Sequence, residues 1–523
     1  MIMFSVMLSR VLGFFRTALI PAKMGGFNDV VDAYNAAFQI PDLMYGLLVG
    51  GAIAASLIPM LTGYVERKKE KEGWNVVGTY INVIMLVMLV LVILGVVFAP
   101  FLMKLILREA SAGKIDLAVS LTRTLMPIAF FMMLSGFCNG IMNSYSRFAV
   151  AAFGPCVYNA ATVISILLFS NSDEAANYGA DKVVLAIVVC SIFYFLLQFA
   201  FTMRHLKYYR PKLIMSHPDF RKMINLALPT LLTSAFIQIN YIISKSFSTI
   251  YGEGSLSALE VAGKTWQMPL GIIAQAVGVA ILPSLSALYA TGKLDELSEK
   301  LNSALRFVLF LAVPSAMGLA IISTPTIQLL FNWGSLTETG VILAASMLTF
   351  YSISVITQSI NTIMNRAYYS TKNSFLPMVA GSFGIAMNYI LALLITGFTD
   401  LGAEGVALAY SIATIAITAA LLLWFNRRIK GFKFINSPGF IMKTIVAVIA
   451  MGATVIISDR LLMPALFGGR IFDIGKFNQV LWVIMDVGIG VVAYGAISYV
   501  LKIDEMHQIT HGVINKIKSI VKN

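Results

Sequence analysis

Apolar segments of roughly twenty residues follow one another along the whole of this 523-residue sequence. Each is long enough to cross the ~30 Å hydrocarbon core of a bilayer as an α-helix. A backbone in hydrocarbon must satisfy its own hydrogen bonds, so only helices or a closed barrel can span it. Barrel strands would be about ten residues of alternating polarity, whereas Leu, Ile, Val and Met run here without alternation. The expected fold class is an all-α polytopic membrane protein. Charged residues make up 12% of the chain, against about 25% in soluble domains, and no soluble domain is left over.

The apolar runs fall at 1–20, 33–61, 76–102, 118–142, 149–169, 183–201 and 224–250, then at 262–288, 307–331, 341–364, 375–396, 405–425, 441–457 and 480–500. About fourteen transmembrane helices are expected, with ends good to about 2–4 residues. The first run is not read as a signal peptide, because Arg10 and Arg16 interrupt it and no small-residue cleavage site follows.

The net charge of +13 does not point to nucleic acid. Most Lys and Arg lie in loops on one side of the membrane, including 67–71, 204–222 and 427–433 and the tail residues Lys516, Lys518 and Lys522. By the positive-inside rule both termini are expected in the cytoplasm, with the basic groups set against anionic headgroups. Cys138, Cys156 and Cys190 lie in apolar runs without metal-ligand spacing, so neither a disulfide framework nor a metal site is expected.

Two internal matches suggest a repeat. Phe38-Gln39-Ile40-Pro41 in the second run parallels Trp266-Gln267-Met268-Pro269 in the eighth, and Ile141-Met142-Asn143 parallels Ile363-Met364-Asn365. An offset of six spans keeps both copies in the same orientation, related by an axis along the membrane normal. The expected organisation is two pseudo-symmetric six-helix bundles, 1–212 and 213–430, followed by two extra helices and a basic tail at 431–523. Prolines within the runs, Pro41, Pro127, Pro229, Pro269 and Pro314, free carbonyls that neighbouring helices or cavity water must satisfy.

Five cations lie within the runs: Arg10, Arg16, Arg123, Lys245 and Lys264. Each costs about 2.5–3.5 kcal/mol at mid-bilayer unless it faces water, a counter-charge or the protein interior. Arg123 and Lys245 can be read as reaching the interface. Carboxylates are scarce, with Asp42 and Asp486 inside and Asp32 at an edge, so the cations are not all expected to be neutralised internally. Arginine's planar fork and lysine's point charge suit phosphate or diphosphate. Arg10, Arg16 and Lys264 are therefore the candidate anion ligands. Asp32, Gln39, Pro41, Asn240, Gln267 and Pro269 are candidates for lining or gating a cavity. An enzyme is not expected: His205, His217, His507 and His511 lie in loops or the tail without catalytic or metal spacing.

The run Ser9-Arg10-Val11-Leu12-Gly13-Phe14-Phe15-Arg16 resembles the first-helix signature of MurJ-type (MviN) lipid II flippases, within the multidrug/oligosaccharidyl-lipid/polysaccharide exporter superfamily. Asp32-Ala33, Phe38 to Pro41, Gly51-Ala52 and Ile58-Pro59 resemble that family's second helix. Asn143 to Ala149 resembles the loop after the fourth, and Ile281 to Ser286 the end of the eighth. The similarity covers roughly the first twelve spans. Departures are Thr17 where many members have aspartate, Tyr45-Gly46 in place of a basic pair, Gly50 for a glutamate, Lys264 for an arginine and Ser244 for a sodium-associated aspartate.

The resemblance implies a plasma-membrane flippase that moves the undecaprenyl-diphosphate-linked peptidoglycan precursor outward by alternating access. It implies a cationic cavity for the headgroup, to which Arg10, Arg16 and Lys264 correspond, and a groove by the last two helices for the lipid tail. No cofactor is implied; the membrane potential or a monovalent ion would drive the cycle, and cell-wall synthesis proteins would be partners. A flippase for another lipid-linked oligosaccharide or polysaccharide, and a drug/cation antiporter of the same superfamily, remain the alternatives at this point.

Overall fold

The computed structural model describes residues 2–47, 53, 56–171, 173–373, 375–429, 432, 434 and 438–510. Gly50, Gly51, Ala52, Lys433, His511 and the tail residues Lys516, Lys518 and Lys522 lie outside the described residues. The helices are α1 (Ile2–Lys23), α2 (Asp29–Tyr45), α3 (Ile58–Glu66), α4 (Glu70–Ile106), α5 (Ala112–Ser144), α6 (Phe148–Phe169), α7 (Ala180–Thr202), α8 (Pro218–Ser248) and α9 (Ser255–Ala290). They continue as α10 (Leu294–Ile321), α11 (Ser323–Phe331), α12 (Glu338–Ser370), α13 (Phe375–Phe398), α14 (Glu404–Arg428), α15 (Pro438–Ile457), α16 (Met463–Phe467) and α17 (Lys476–Val500). No strand occurs among the described residues.

Twelve of these helices are long and apolar enough to cross a membrane on their own, and α1 and the α2–α3 pair correspond to the other two expected spans. The second span is not one helix. After Pro41 and Tyr45 the backbone widens into π-helical turns at 46–47 and 56–57 before α3 begins. Proline removes a ladder hydrogen bond and π turns commonly mark such interruptions. The ninth span is likewise divided, at Ile322 between α10 and α11.

Helix α4 shows why lipid is the solvent. Met88, Val92, Ala99 and Met103 on one face are buried, while Leu86, Val90, Ile93, Val97 and Phe101 on the other are exposed. A helix apolar on both faces fits a membrane span packed against protein on one side only. Because lipid tails are as apolar as leucine, what holds such helices together is close packing and hydrogen bonding between them.

The chain forms two compact units, Met1–Glu260 with Trp333–Gly340, and Val261–Asn332 with Val341–Asn523. In this division α8 and the start of α9 belong with the first unit. In the first unit α5 packs against α2, α4 and α7, and α1 packs along α6. Trp74, Tyr80, Met88, Leu125 and Met133 are at the centre of its core. The connection from α7 to α8 lies on α4, where Tyr209 donates to Asn82 at 2.5 Å and Asn82 donates to the carbonyl of Lys212.

In the second unit α13 packs on α14 and α15 on α17. A buried hydroxyl ladder joins α12 to α14: Ser354 with Ser411 and Thr357 with Thr414, both at 2.8 Å, then Thr418 donating to Asn361 at 2.9 Å. The rungs on α12 are three and four residues apart, one helical face. Each polar group that would otherwise be orphaned in hydrocarbon thereby finds a partner.

Candidate functional site

The first-helix signature has a packing meaning. Asn159 of α6 donates to both the carbonyl and the hydroxyl of Ser9 at 3.1 Å and lies against Gly13 one turn later. Cys156 on the same helix reaches the carbonyl of Ser5 at 2.8 Å. This fixes the rotation of α1 and with it the two arginines. Arg10 is exposed and Arg16 half-buried, about 120° apart around the helix.

Arg16 sits within electrostatic reach of Tyr158 on α6, Tyr34 and Asp42 on α2, and Glu260 on α9. Glu260 in turn pairs with Lys245 of α8 at 2.7 Å, the two side chains 20% and 16% exposed. Lys245 also feels Asp42. The first unit thus gathers two cations and two carboxylates where the sequence suggested isolated cations. Lys245 is thus ion-paired within the first unit, three residues before the end of α8. Glu260 was missed because the apolar run starts at 262, yet α9 begins at Ser255 and carries Glu260 in its second turn. Lys245 and Glu260 flank the short α8–α9 turn, and opposite charges at matched distances from a helical hairpin are a signal that could have found the pair. The cluster balances two cations with two carboxylates.

Asp32 does not line a cavity. It is completely buried and accepts four hydrogen bonds: from Lys114 Nζ at 2.8 Å, from the backbone N–H groups of Gly254 and Ser257 at 2.9 Å each, and from the Ser257 hydroxyl at 2.5 Å. Lys114 also pairs with Asp29 at 2.8 Å, and Asn35 donates to Ser257. Asp32 thus caps the N-terminus of α9, where unpaired N–H groups favour an anion, and ties it to α2 and α5. Around this clasp Arg108 stacks over Phe247 and its backbone N–H donates to Thr249. The segment 333–340 closes over Gly26, whose φ of +92° would place a Cβ 2.5 Å from the Ser335 carbonyl oxygen.

The other candidates divide. Gln39 is 4% exposed and neither its amide nitrogen nor its oxygen has a hydrogen-bond partner among the described residues; Pro41 and Asn240 are buried. In the second unit Trp266 is buried against Tyr351 and Tyr410. Gln267 donates back to the carbonyl of Gly263 at 2.9 Å on its own helix, which leaves its amide nitrogen committed. Pro269 is half-buried and Lys264 exposed. No group of three or more His, Cys, Asp and Glu among the described residues is placed to hold a metal.

Comparison with known proteins adds the context of these residues. The family model described as lipid II flippase MurJ matches residues 22–474. A protein of Bdellovibrio bacteriovorus named probable lipid II flippase MurJ is 28% identical over 517 residues, covering 96% of this chain and 94% of its own length. The lipid II flippase MurJ of Burkholderia cenocepacia is 26% identical over 442 residues, covering 83% and 84%. Among solved structures, a lipid II flippase MurJ in an inward closed conformation shares the fold with a TM-score of 0.78 at 24% identity, covering 95% of this chain and 98% of that one. An inward-facing multidrug resistance MATE transporter of the MOP superfamily follows the same fold at a TM-score of 0.66 and 16% identity, covering 83% and 96%.

Proposed function

Because this chain belongs to the MurJ family of lipid II flippases, we propose that it carries lipid II, the undecaprenyl-diphosphate-linked peptidoglycan precursor, from the inner to the outer leaflet by alternating access. The observation that carries the reading is that the family match at 22–474 runs through both compact units. The match therefore covers most of the carrier and not one module. The chain is a multi-pass protein of the inner membrane and a transporter; both termini are assigned to the cytoplasm on the strength of the basic loops.

Arg10 and Arg16 are the proposed diphosphate ligands of the first unit, and Lys264 is a further proposed ligand on its sequence signature. Guanidinium groups hold phosphate oxygens in fixed fork geometry. Glu260 pairs with Lys245, and both Asp42 and Glu260 lie within electrostatic reach of Arg16. An arriving diphosphate competes with those carboxylates, so it meets cations already oriented at little cost of ordering. With the termini inside, the Asp32 clasp lies at the outer end of the first unit. Its hydrogen bonds are what would have to break for a headgroup to leave on that side. No cofactor is required; the membrane potential, worth about 2.3 kcal/mol per charge per 100 mV, or a monovalent ion resets the carrier. Anionic lipids, and proteins of cell-wall synthesis, are the proposed partners.

The test is complementation of cells depleted of their own lipid II flippase, with lipid II exposure on the outer leaflet measured directly. The wild type is expected to restore exposure, and the folded, inserted triple variant Arg10→Ala, Arg16→Ala, Lys264→Ala to fail. Full activity of the triple variant would remove the cation site. Failure of stable, inserted wild type would move another lipid-linked glycan to the front.

A further inference from the structure

We propose that the last two membrane helices carry a proton-binding site formed by Asp459 and Asp486. Asp486, in the third turn of α17, is completely buried. Asp459 is half-buried in the π-helical turn Ser458–Leu462 that ends α15. The two carboxyl groups lie within hydrogen-bonding reach of each other. The Ser458 hydroxyl donates to Asp486 Oδ1 at 2.5 Å and Trp482 Nε1 donates to Asp459 Oδ1 at 2.9 Å. Asp486 Oδ2 has no donor among the described residues.

Two ionised carboxylates are acceptors only and cannot satisfy each other. One proton between them turns a repulsive contact into a hydrogen bond and supplies the donor that Asp486 Oδ2 lacks. Among the described residues the surroundings offer one cation. Arg460, on the same turn, is the cation acting on Asp459 and can offset a single negative charge. Neither α11 nor α16 contains an ionisable side chain. Lys476 at the start of α17 is committed to the carbonyl of Gln328 on α11, and Arg470 to Asp473. The charged residues of α10 are confined to Asp295–Arg306, in its first half. Lys443 of α15 is sixteen residues before Asp459, roughly 24 Å along the helix, and donates to the carbonyl of Lys502. Two acids with one cation hold one proton at balance. Asp459, partly exposed, is the way in.

This site is independent of the flippase reading and stands whatever the cargo. Bound in the folded hairpin and released on unfolding, the proton stabilises the protein below the pH at which it leaves, and that stabilisation is lost as pH rises. The test uses full-length protein in lipid nanodiscs. Infrared spectra of the wild type should contain a protonated-carboxyl C=O band that shifts in deuterated buffer, disappears at alkaline pH and is missing in Asp486→Asn and in Asp459→Asn. The wild-type Tm should fall across the same pH interval, and the Asp486→Asn profile should be flat. If Asp486→Asn does not fold, Asp459→Asn and the pH dependence of the wild-type band give the same decision. A band unchanged in the Asn variants overturns the proposal. So do superimposable pH profiles, or a Tm that follows sodium concentration at fixed pH while ignoring pH.

Discussion

Replacing Lys114 by methionine removes the cation of the α2–α5–α9 clasp while keeping most of its apolar stem. Lys114 is 4% exposed as a side chain and Asp32 not at all, so the substitution strands a carboxylate in a place water does not reach. Breaking a buried pair from one side costs about 3–5 kcal/mol. Asp32 keeps its three donors from Gly254 and Ser257, which puts the expected loss near the lower end, about 3 kcal/mol. Adding Asp32→Asn makes the stranded group neutral. An amide oxygen can still accept from Ser257, although its NH2 faces the Gly254 N–H, so the double variant should sit only about 1–2 kcal/mol below wild type. Thermal or denaturant unfolding of the four proteins of the cycle measures this directly. Losses that simply add, or a Lys114→Met loss within about 0.5 kcal/mol of zero, would refute the claim that Asp32 is held by charge.

The Lys245–Glu260 pair is a fifth exposed, so Lys245→Ala should cost less, roughly 1–3 kcal/mol, and the exchange Lys245→Glu with Glu260→Lys should recover most of it. Equal Tm values for the single and exchanged variants would show that the pair does not hold α8 to α9. Gly26→Ala combines a left-handed φ with a backbone clash at Ser335 and should cost roughly 1–3 kcal/mol. It should also raise protease sensitivity in 333–340, and an unchanged digestion pattern would argue against the closure described there.

The helical spans were legible because the bilayer imposes a length on every one of them, and the family was legible in short motifs, of which those after residue 22 fall within the matched region. What the sequence hid were pairings across distance. Asp32 looked like a cavity residue because its partner Lys114 is 82 positions away and a hydropathy pattern contains no distances. Glu260 fell outside an apolar window although it lies inside a helix. Gln267 looked equivalent to Gln39 by motif, yet one amide turns back on its own helix and the other is left unpartnered; a four-residue repeat does not specify a rotamer.

The hydroxyl ladder between α12 and α14 acts as a ruler. Its first rung joins residues 57 positions apart, and so do the second and third. A constant difference is possible only when both helices run in the same direction, because antiparallel neighbours would keep a constant sum. Helix α13 must then carry the chain back across the membrane between them. The fixed offset also makes the register of the pair brittle. One residue inserted between Ser354 and Asn361 would rotate every later rung by about 100°, leaving buried hydroxyls without partners on both helices.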